Sequence, residues 1–162
     1  GCDPAPALQL IDDARRCAFR HLNRFHHQTG LPKGATFALR AEASTALPLL
    51  QWLHGYLGMV PLAVRLSDGT DGALARAART YLETIGCAEA WEADLDSEPC
   101  DLVFANGPTV AEFIAEGQAA AGVELSLPGT DRIDIVPKAL LGCDGTLFLL
   151  EQILNALRDH VW

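Results

Sequence analysis

Four places in this chain hold side chains whose types and spacing suggest chemistry. Cys17 and His21 stand four apart in "CAFRH", with His26 and His27 just beyond. On a helix that spacing puts thiol and imidazole on one face, the beginning of a soft-metal site. Zinc takes three or four protein ligands, and no other stretch has matching ligand spacing, so a surface or partner-packing role is the plainer reading. Arg40 and Glu42, in "RAEAST", could line a site or form a local ion pair. Asn106-Gly107 closes an apolar run. Its N–H groups could receive an anion at a helix N-terminus, although Asn is also a common N-cap. Asp131-Arg132, in "LPGTDR", has no partner for acid–base work, so it reads as a strut that orders its loop. No nucleophile–base pair is visible, and neither a G-x-G-x-x-G fingerprint nor a Walker A loop is present. A nucleotide site of either kind is not expected.

The elements that would position these residues alternate. A helix is predicted from Pro6 to His27, with Leu8, Ile11, Ala18, Leu22 and Phe25 at three- and four-residue spacing and Gly30 as its cap. "ATFAL" (Ala35–Leu39) reads as a buried strand, with Arg40–Glu42 as the loop after it. Ser44 is expected to cap the next helix, with Pro48 in its first turn and Gly58 at its end. "VPLAVRL" (Val60–Leu66) is a second strand, Ser67–Gly72 a turn, and Ala73–Ile85 an Ala-rich helix. "AEAWEA" (Ala88–Ala93) is a weak strand candidate and Asp94–Cys100 a polar connection. "DLVFAN" (Asp101–Asn106) is the clearest strand; a helix follows from Gly107 to about Glu116, and "VELSLP" (Val123–Pro128) is the last strand. A Gly-Cys-Asp-Gly turn then leads into a closing helix over Thr146–Val161.

Apolar strands alternating with helices predict an α/β fold: a three-layer, Rossmann-like domain with a mostly parallel sheet of four or five strands and helices on both faces. Ligands in such folds sit at the carboxyl ends of strands, near a topological switch point. That directs attention to Arg40–Ser44, Ser67–Gly72, Asn106–Thr109 and Pro128–Asp134. A length of 162 residues suits one domain, 1–162. A net charge of −9 argues against nonspecific nucleic-acid binding. Five scattered cysteines without a C-x-x-C pair point to a reducing cytoplasm, and no apolar run is long enough to span a membrane. The opening Gly-Cys-Asp-Pro, without Met, suggests a piece of something longer.

The order of the motifs adds a resemblance. "IDDARR", "TFALRAE", "LHGYLGMVPLAV", "CDLVFANGPT", "LPGTDR" and "LLGCDGTLFLLEQILNAL" follow one another over about Asp12–Leu157. In that order they resemble the C-terminal domain of the nitrogenase component 1 family. That family comprises the nitrogenase catalytic subunits, their cofactor-assembly scaffold relatives, and the dark-operative protochlorophyllide and chlorophyllide reductases. The resemblance implies one domain of a larger oxidoreductase subunit or scaffold, forming one wall of a cofactor or substrate cleft. Arg40, Glu42, Asn106, Gly107, Asp131 and Arg132 are its cleft candidates, none of them as a catalytic acid or base. It also implies an iron–sulfur or metal cluster in the full assembly, none held by this piece alone. The implied partners are further domains, homologous subunits and an ATP-dependent reductase. The motifs depart from the family's at Arg40–Ala43, Ala105–Gly107 and Gly142-Cys143, and none of the five cysteines matches a cluster ligand. Two other readings stay open. One is a non-catalytic docking module using the Leu-lined closing helix and Trp162; the other is a small-molecule-binding, flavodoxin-like domain.

Overall fold

The computed structural model describes residues 3–70, 72–126 and 141–161. Its elements, in chain order, are α1 (Ala5–Thr29), β1 (Thr36–Ala41), α2 (Ala43–Gly55), β2 (Val60–Leu66), α3 (Ala73–Thr84), β3 (Cys100–Asn106), α4 (Gly107–Ala115), β4 (Ala119–Ser126) and α5 (Gly142–Val161). The four strands form one sheet in the order β2-β1-β3-β4, and every pairing is parallel. The α/β fold with a parallel sheet is as expected from the apolar strands. Two compact units share the chain, Pro32–Arg132 and Gly1–Leu31 with Ile133–Trp162.

The first unit holds the sheet. Side chains alternate along a strand, so Phe37, Leu39, Leu102 and Phe104 face one way while Ala38, Val103 and Ala105 face the other. Phe37 and Phe104 meet edge to face at 5.8 Å between ring centroids. Ala38, Val103 and Ala105 form a buried cluster with Val110 and Phe113 of α4. The crossover β1-α2-β2 runs toward one edge of the sheet and β3-α4-β4 toward the other. With the right-handed connection that parallel strands adopt, α2 and α4 therefore cover opposite faces. Leu50 and Leu53 of α2 and Leu82 of α3 are fully buried. On general grounds, truncating any one of them to Ala costs about 2–5 kcal/mol.

Several boundaries differ from the sequence reading. Arg40 lies inside β1, not in the loop after it. Glu42, not Ser44, holds the N-cap position of α2 and makes no side-chain cap. Pro48 sits in the body of α2 instead of its first turn; it is exposed, so the missing backbone bond faces solvent. That helix stops at Gly55, although Gly58, at φ 70°, still closes its end by donating to His54 O at 3.0 Å. Ala88–Ala90 is a 3-10 turn, and the expected strand shrinks to one parallel bridge between Trp91 and Val64.

The largest miss is β4, which starts at Ala119, four residues before the predicted strand. Its first half is Ala-Ala-Ala-Gly, which has no strand signature of its own. Packing demands it: a Cβ on Gly122 would lie 2.2 Å from Val110 Cγ1, so only glycine lets α4 press this close to the strand. The Gly-Cys-Asp-Gly segment is the first turn of α5. Leu127-Pro128, Asp131-Arg132 and Trp162 lie outside the described residues.

In the second unit α1 and α5 pack on each other. Gly30, at φ 78°, ends α1 with its N–H on His26 O at 2.8 Å. Leu150, Ile153 and Leu157 are buried at helical spacing on α5. Among the described residues no helix is long and apolar enough to cross a membrane.

Candidate functional site

The chain leaves β1 toward β2 but leaves β3 toward β4, so the carboxyl ends of the adjacent strands β1 and β3 form a topological switch point. A parallel α/β sheet opens a crevice there. The crevice is a pocket of about 240 Å³ lined by Arg40, Ala41, Glu42, Thr45, Ser67, Asn106 and Leu125. Three of the four segments singled out by sequence thus meet at one place. Gly107 is buried as the first residue of α4, beside the lining residue Asn106. Asp131 and Arg132 lie outside the described residues.

The backbone around the pocket is held by bonds between distant segments. Ser67 N–H donates to Ala41 O at 3.0 Å, tying the β2 end to the β1 end. Asp68 Oδ1 accepts from Ala43 N–H at 2.9 Å, so the loop after β2 caps α2 from outside that helix. A carboxylate at a helix N-terminus is also favoured by the helix dipole. Sequence reasoning marked the Ser67–Gly72 turn but missed this role of Asp68, because the donor is 25 residues away. At the opposite ends of the strands, Asp101 Oδ2 accepts from Thr36 N–H at 2.7 Å and from Thr36 Oγ1 at 3.0 Å; Thr36 Oγ1 in turn accepts from Asp101 N–H at 3.0 Å. That reciprocal set joins the starts of β1 and β3.

The donors available to a ligand follow from what is already used. Asn106 Oδ1 caps α4 through Thr109 N–H at 3.1 Å, and Pro108 has no N–H to give. The start of α4 is therefore a poorer anion receiver than a free helix end. The cap commits only the Asn106 oxygen and leaves the amide's N–H groups for a ligand. At the start of α2, Ala43 N–H is taken by Asp68, while Thr45 and Ala46 N–H both reach Glu42 O. Among the described residues no ion pair joins Arg40 to Glu42. The neighbour of Arg40 on β2 is Arg65, which is paired with Asp94 at 3.1 Å and lies 3.9 Å from Glu92.

The cysteines behave differently from one another. Cys100 is buried, its thiol donates to Leu102 O at 3.2 Å, and burial pushes its pKa above the usual thiol value. It packs, as small buried thiols do. Burial also raises the pKa of Cys87, with Glu89 adding to the shift. Cys17 is exposed and lines, with Ala18, His21, Leu147, Leu154 and Glu151, a groove of about 410 Å³ between α1 and α5. Among the described residues no group of three or more His, Cys, Asp or Glu is placed to hold a metal ion.

Comparison with known proteins gives a structural likeness. The solved structure of nitrogenase Cp1 at pH 6.5 matches 93% of this chain at a TM-score of 0.75 and 19% sequence identity. The match uses 34% of that protein's chain, so this chain spans about a third of its length. At this identity the likeness speaks for the fold. No protein-family model matches the chain, and no curated protein matches its sequence.

Proposed function

We propose that this chain is one domain of a nitrogenase component 1-like oxidoreductase subunit or cofactor-assembly scaffold, and forms one wall of a cofactor or substrate cleft. The observation that carries the reading is the pocket at the switch point, where Arg40, Glu42, Thr45, Ser67 and Asn106 converge on a fold like a third of nitrogenase Cp1. In this reading Arg40 and Asn106 offer donors to whatever occupies the cleft. Glu42 sets its rim, and Gly107 lets α4 begin directly beneath it. None of these acts as a catalytic acid or base. Asp131 and Arg132, further along the sequence, are proposed for the same wall.

The described residues do not fit as ligands of an iron–sulfur cluster. Cys100 is buried and hydrogen-bonded to a carbonyl, and Cys17 is on another unit's surface without two further ligands beside it. In this reading the cluster of the assembly is held by its other parts. Partner domains, homologous subunits and an ATP-dependent reductase complete the assembly.

The test is anaerobic purification of the protein from its own cells, in whatever length and company it has there. Iron, acid-labile sulfide and the electron paramagnetic resonance spectrum after dithionite reduction are then measured. Stoichiometric iron and sulfide with a reduced-cluster signal are expected. A well-folded, iron-free protein sinks the redox reading.

A docking role has one specific observation in its favour, though not on the helix that the sequence suggested. The Leu line of α5 is buried or half-buried, whereas α1 carries four exposed large apolar side chains, Leu8, Leu10, Ile11 and Phe19; others are scattered, as at Tyr56, Leu74, Ile114 and Leu141.

A further inference from the structure

We infer that the switch-point pocket binds a small oxyanion, a carboxylate or phosphoryl group, through Arg40. This rests on reading the pocket as a ligand cleft and adds the chemistry of the ligand. It does not require that a cluster be present anywhere.

Two arginines at the end of the sheet have different surroundings. Arg40 and Arg65 are register partners on adjacent parallel strands, so their side chains leave the same face of the sheet side by side. Arg65 is neutralised by Asp94 and Glu92. Arg40 has no ion-pair partner among the described residues, and it lines the pocket. A guanidinium with no carboxylate partner among the described residues is best satisfied by an anion, and its planar fork matches carboxylate and phosphate oxygens.

The remaining lining groups agree. Asn106 keeps its amide N–H donors because its oxygen is spent on the α4 cap. Thr45 and Ser67 bring hydroxyls from two other segments. These donors are side chains at the end of β3, in the first turn of α2 and just after β2, so the site does not rest on backbone N–H groups of a helix end, where those of Ala43, Thr45 and Ala46 are already used. Glu42 is the one acid among the lining residues, and it limits affinity and makes the charge on the ligand matter. A volume of about 240 Å³ is below the usual range for a drug-sized ligand. A whole dinucleotide is too large; a single oxyanion, free or as the end of a longer molecule, fits.

The test is a 1H–15N chemical-shift titration of this chain at pH 7 and constant ionic strength, with inorganic phosphate in one series and malonate in another. Saturable shifts are expected at Ala41, Glu42, Thr45, Ser67 and Asn106, with a dissociation constant on the order of 1 mM for so few contacts. Arg40→Gln weakens binding about tenfold, and Arg40→Lys less, since it keeps the charge and loses the fork. Glu42→Gln tightens it about twofold by removing a like charge. Arg79→Gln, on α3, leaves it unchanged. Saturation by phosphate alone identifies a phosphoryl group, by malonate alone a carboxylate, and by both a general oxyanion site. Linear shifts scattered over the surface, or binding that Arg40→Gln does not alter, overturn the inference. Failure here with iron present in the anaerobic protein removes only the oxyanion. Success here with no iron removes only the redox assembly.

Discussion

Gly122→Ala is the sharpest test of how this fold builds its cleft. The added Cβ would sit 2.2 Å from Val110 Cγ1, 3.3 Å from Val110 Cβ and 3.3 Å from Val103 Cγ1. Carbon atoms in good contact are about 3.5–4.0 Å apart, so α4 must retreat by roughly 1 Å or Val110 must leave its rotamer. Rotation is a poor escape, because valine in a helix holds one χ1 well about 90% of the time and its Cβ is close as well. Overpacking of this kind costs about 1–3 kcal/mol. Against it stands about 0.4–1 kcal/mol from the lower chain entropy of the unfolded alanine variant. The backbone at Gly122 needs no positive φ, so packing alone decides the sign. A net loss of about 1–2 kcal/mol lowers the melting temperature by about 2–8 °C for a chain of this size. Thermal melts and urea titrations of Gly122→Ala, Val110→Ala and the double variant measure it. Removing both Val110 methyls should rescue part of the loss, with a coupling of about 0.5–3 kcal/mol. An unchanged or raised melting temperature, or strictly additive single variants, would refute the close approach of α4 and β4. Since α4 begins at Gly107, next to Asn106, the same variant should also shift the Asn106 and Thr109 amide resonances.

Three further outcomes follow from the hydrogen bonds and burial. Asp68→Ala removes the acceptor of the Ala43 N–H and should cost about 0.5–2 kcal/mol in a urea titration; a variant as stable as the parent contradicts a capping role. Asp101→Ala breaks the reciprocal set with Thr36, leaves an acceptor-starved N–H at the start of β1, and should cost about 1.5–3 kcal/mol. The buried Cys100 thiol keeps its proton above the ordinary value near 9, where the unfolded chain has lost it. The native state then binds more protons, so stability falls as pH rises from about 9 through the raised value. The urea midpoint should therefore drop more between pH 8 and pH 10 in the parent than in Cys100→Ala, with Cys87 supplying part of what remains.

Much of the architecture was legible because apolar runs such as "VPLAVRL" and "DLVFAN" are strands wherever they are buried on both faces. Glycine and proline punctuation placed α1, α3 and α4 to within a few residues. What escaped was set by partners far along the chain. The Ala-Ala-Ala-Gly half of β4 is a strand only because α4 lies against it, and smallness is a signal shared with helices. Asp68 looked like part of a turn because its donor, Ala43, opens a helix 25 residues earlier. The Thr36–Asp101 bonds span 65 residues, which no local pattern can announce.

The site was legible to the extent that topology creates it. Parallel strands that diverge from a common middle pair must leave their carboxyl-end loops uncovered there, so Arg40–Ser44, Ser67 and Asn106 could be named from strand positions alone. Their chemistry could not. Arg40 and Arg65 are the same residue type, on adjacent strands and in register, and nothing near either in sequence distinguishes them. The difference comes from the segment after the 3-10 turn, which passes beside β2 and brings Glu92 and Asp94 to Arg65. Glu92 holds φ 54°, a conformation rare for a non-glycine residue, with its N–H on Val64 O at 3.0 Å. That bend fixes which arginine is neutralised. If it is what leaves Arg40 for a ligand, then Glu92→Gly should keep the backbone and lose the carboxylate near Arg65. Arg65, then held by Asp94 alone, would leave more positive charge beside Arg40 and tighten phosphate in the chemical-shift titration. Unchanged or weaker phosphate binding by Glu92→Gly would show that Arg65 is too well held by Asp94 to contribute, and that Arg40 works alone.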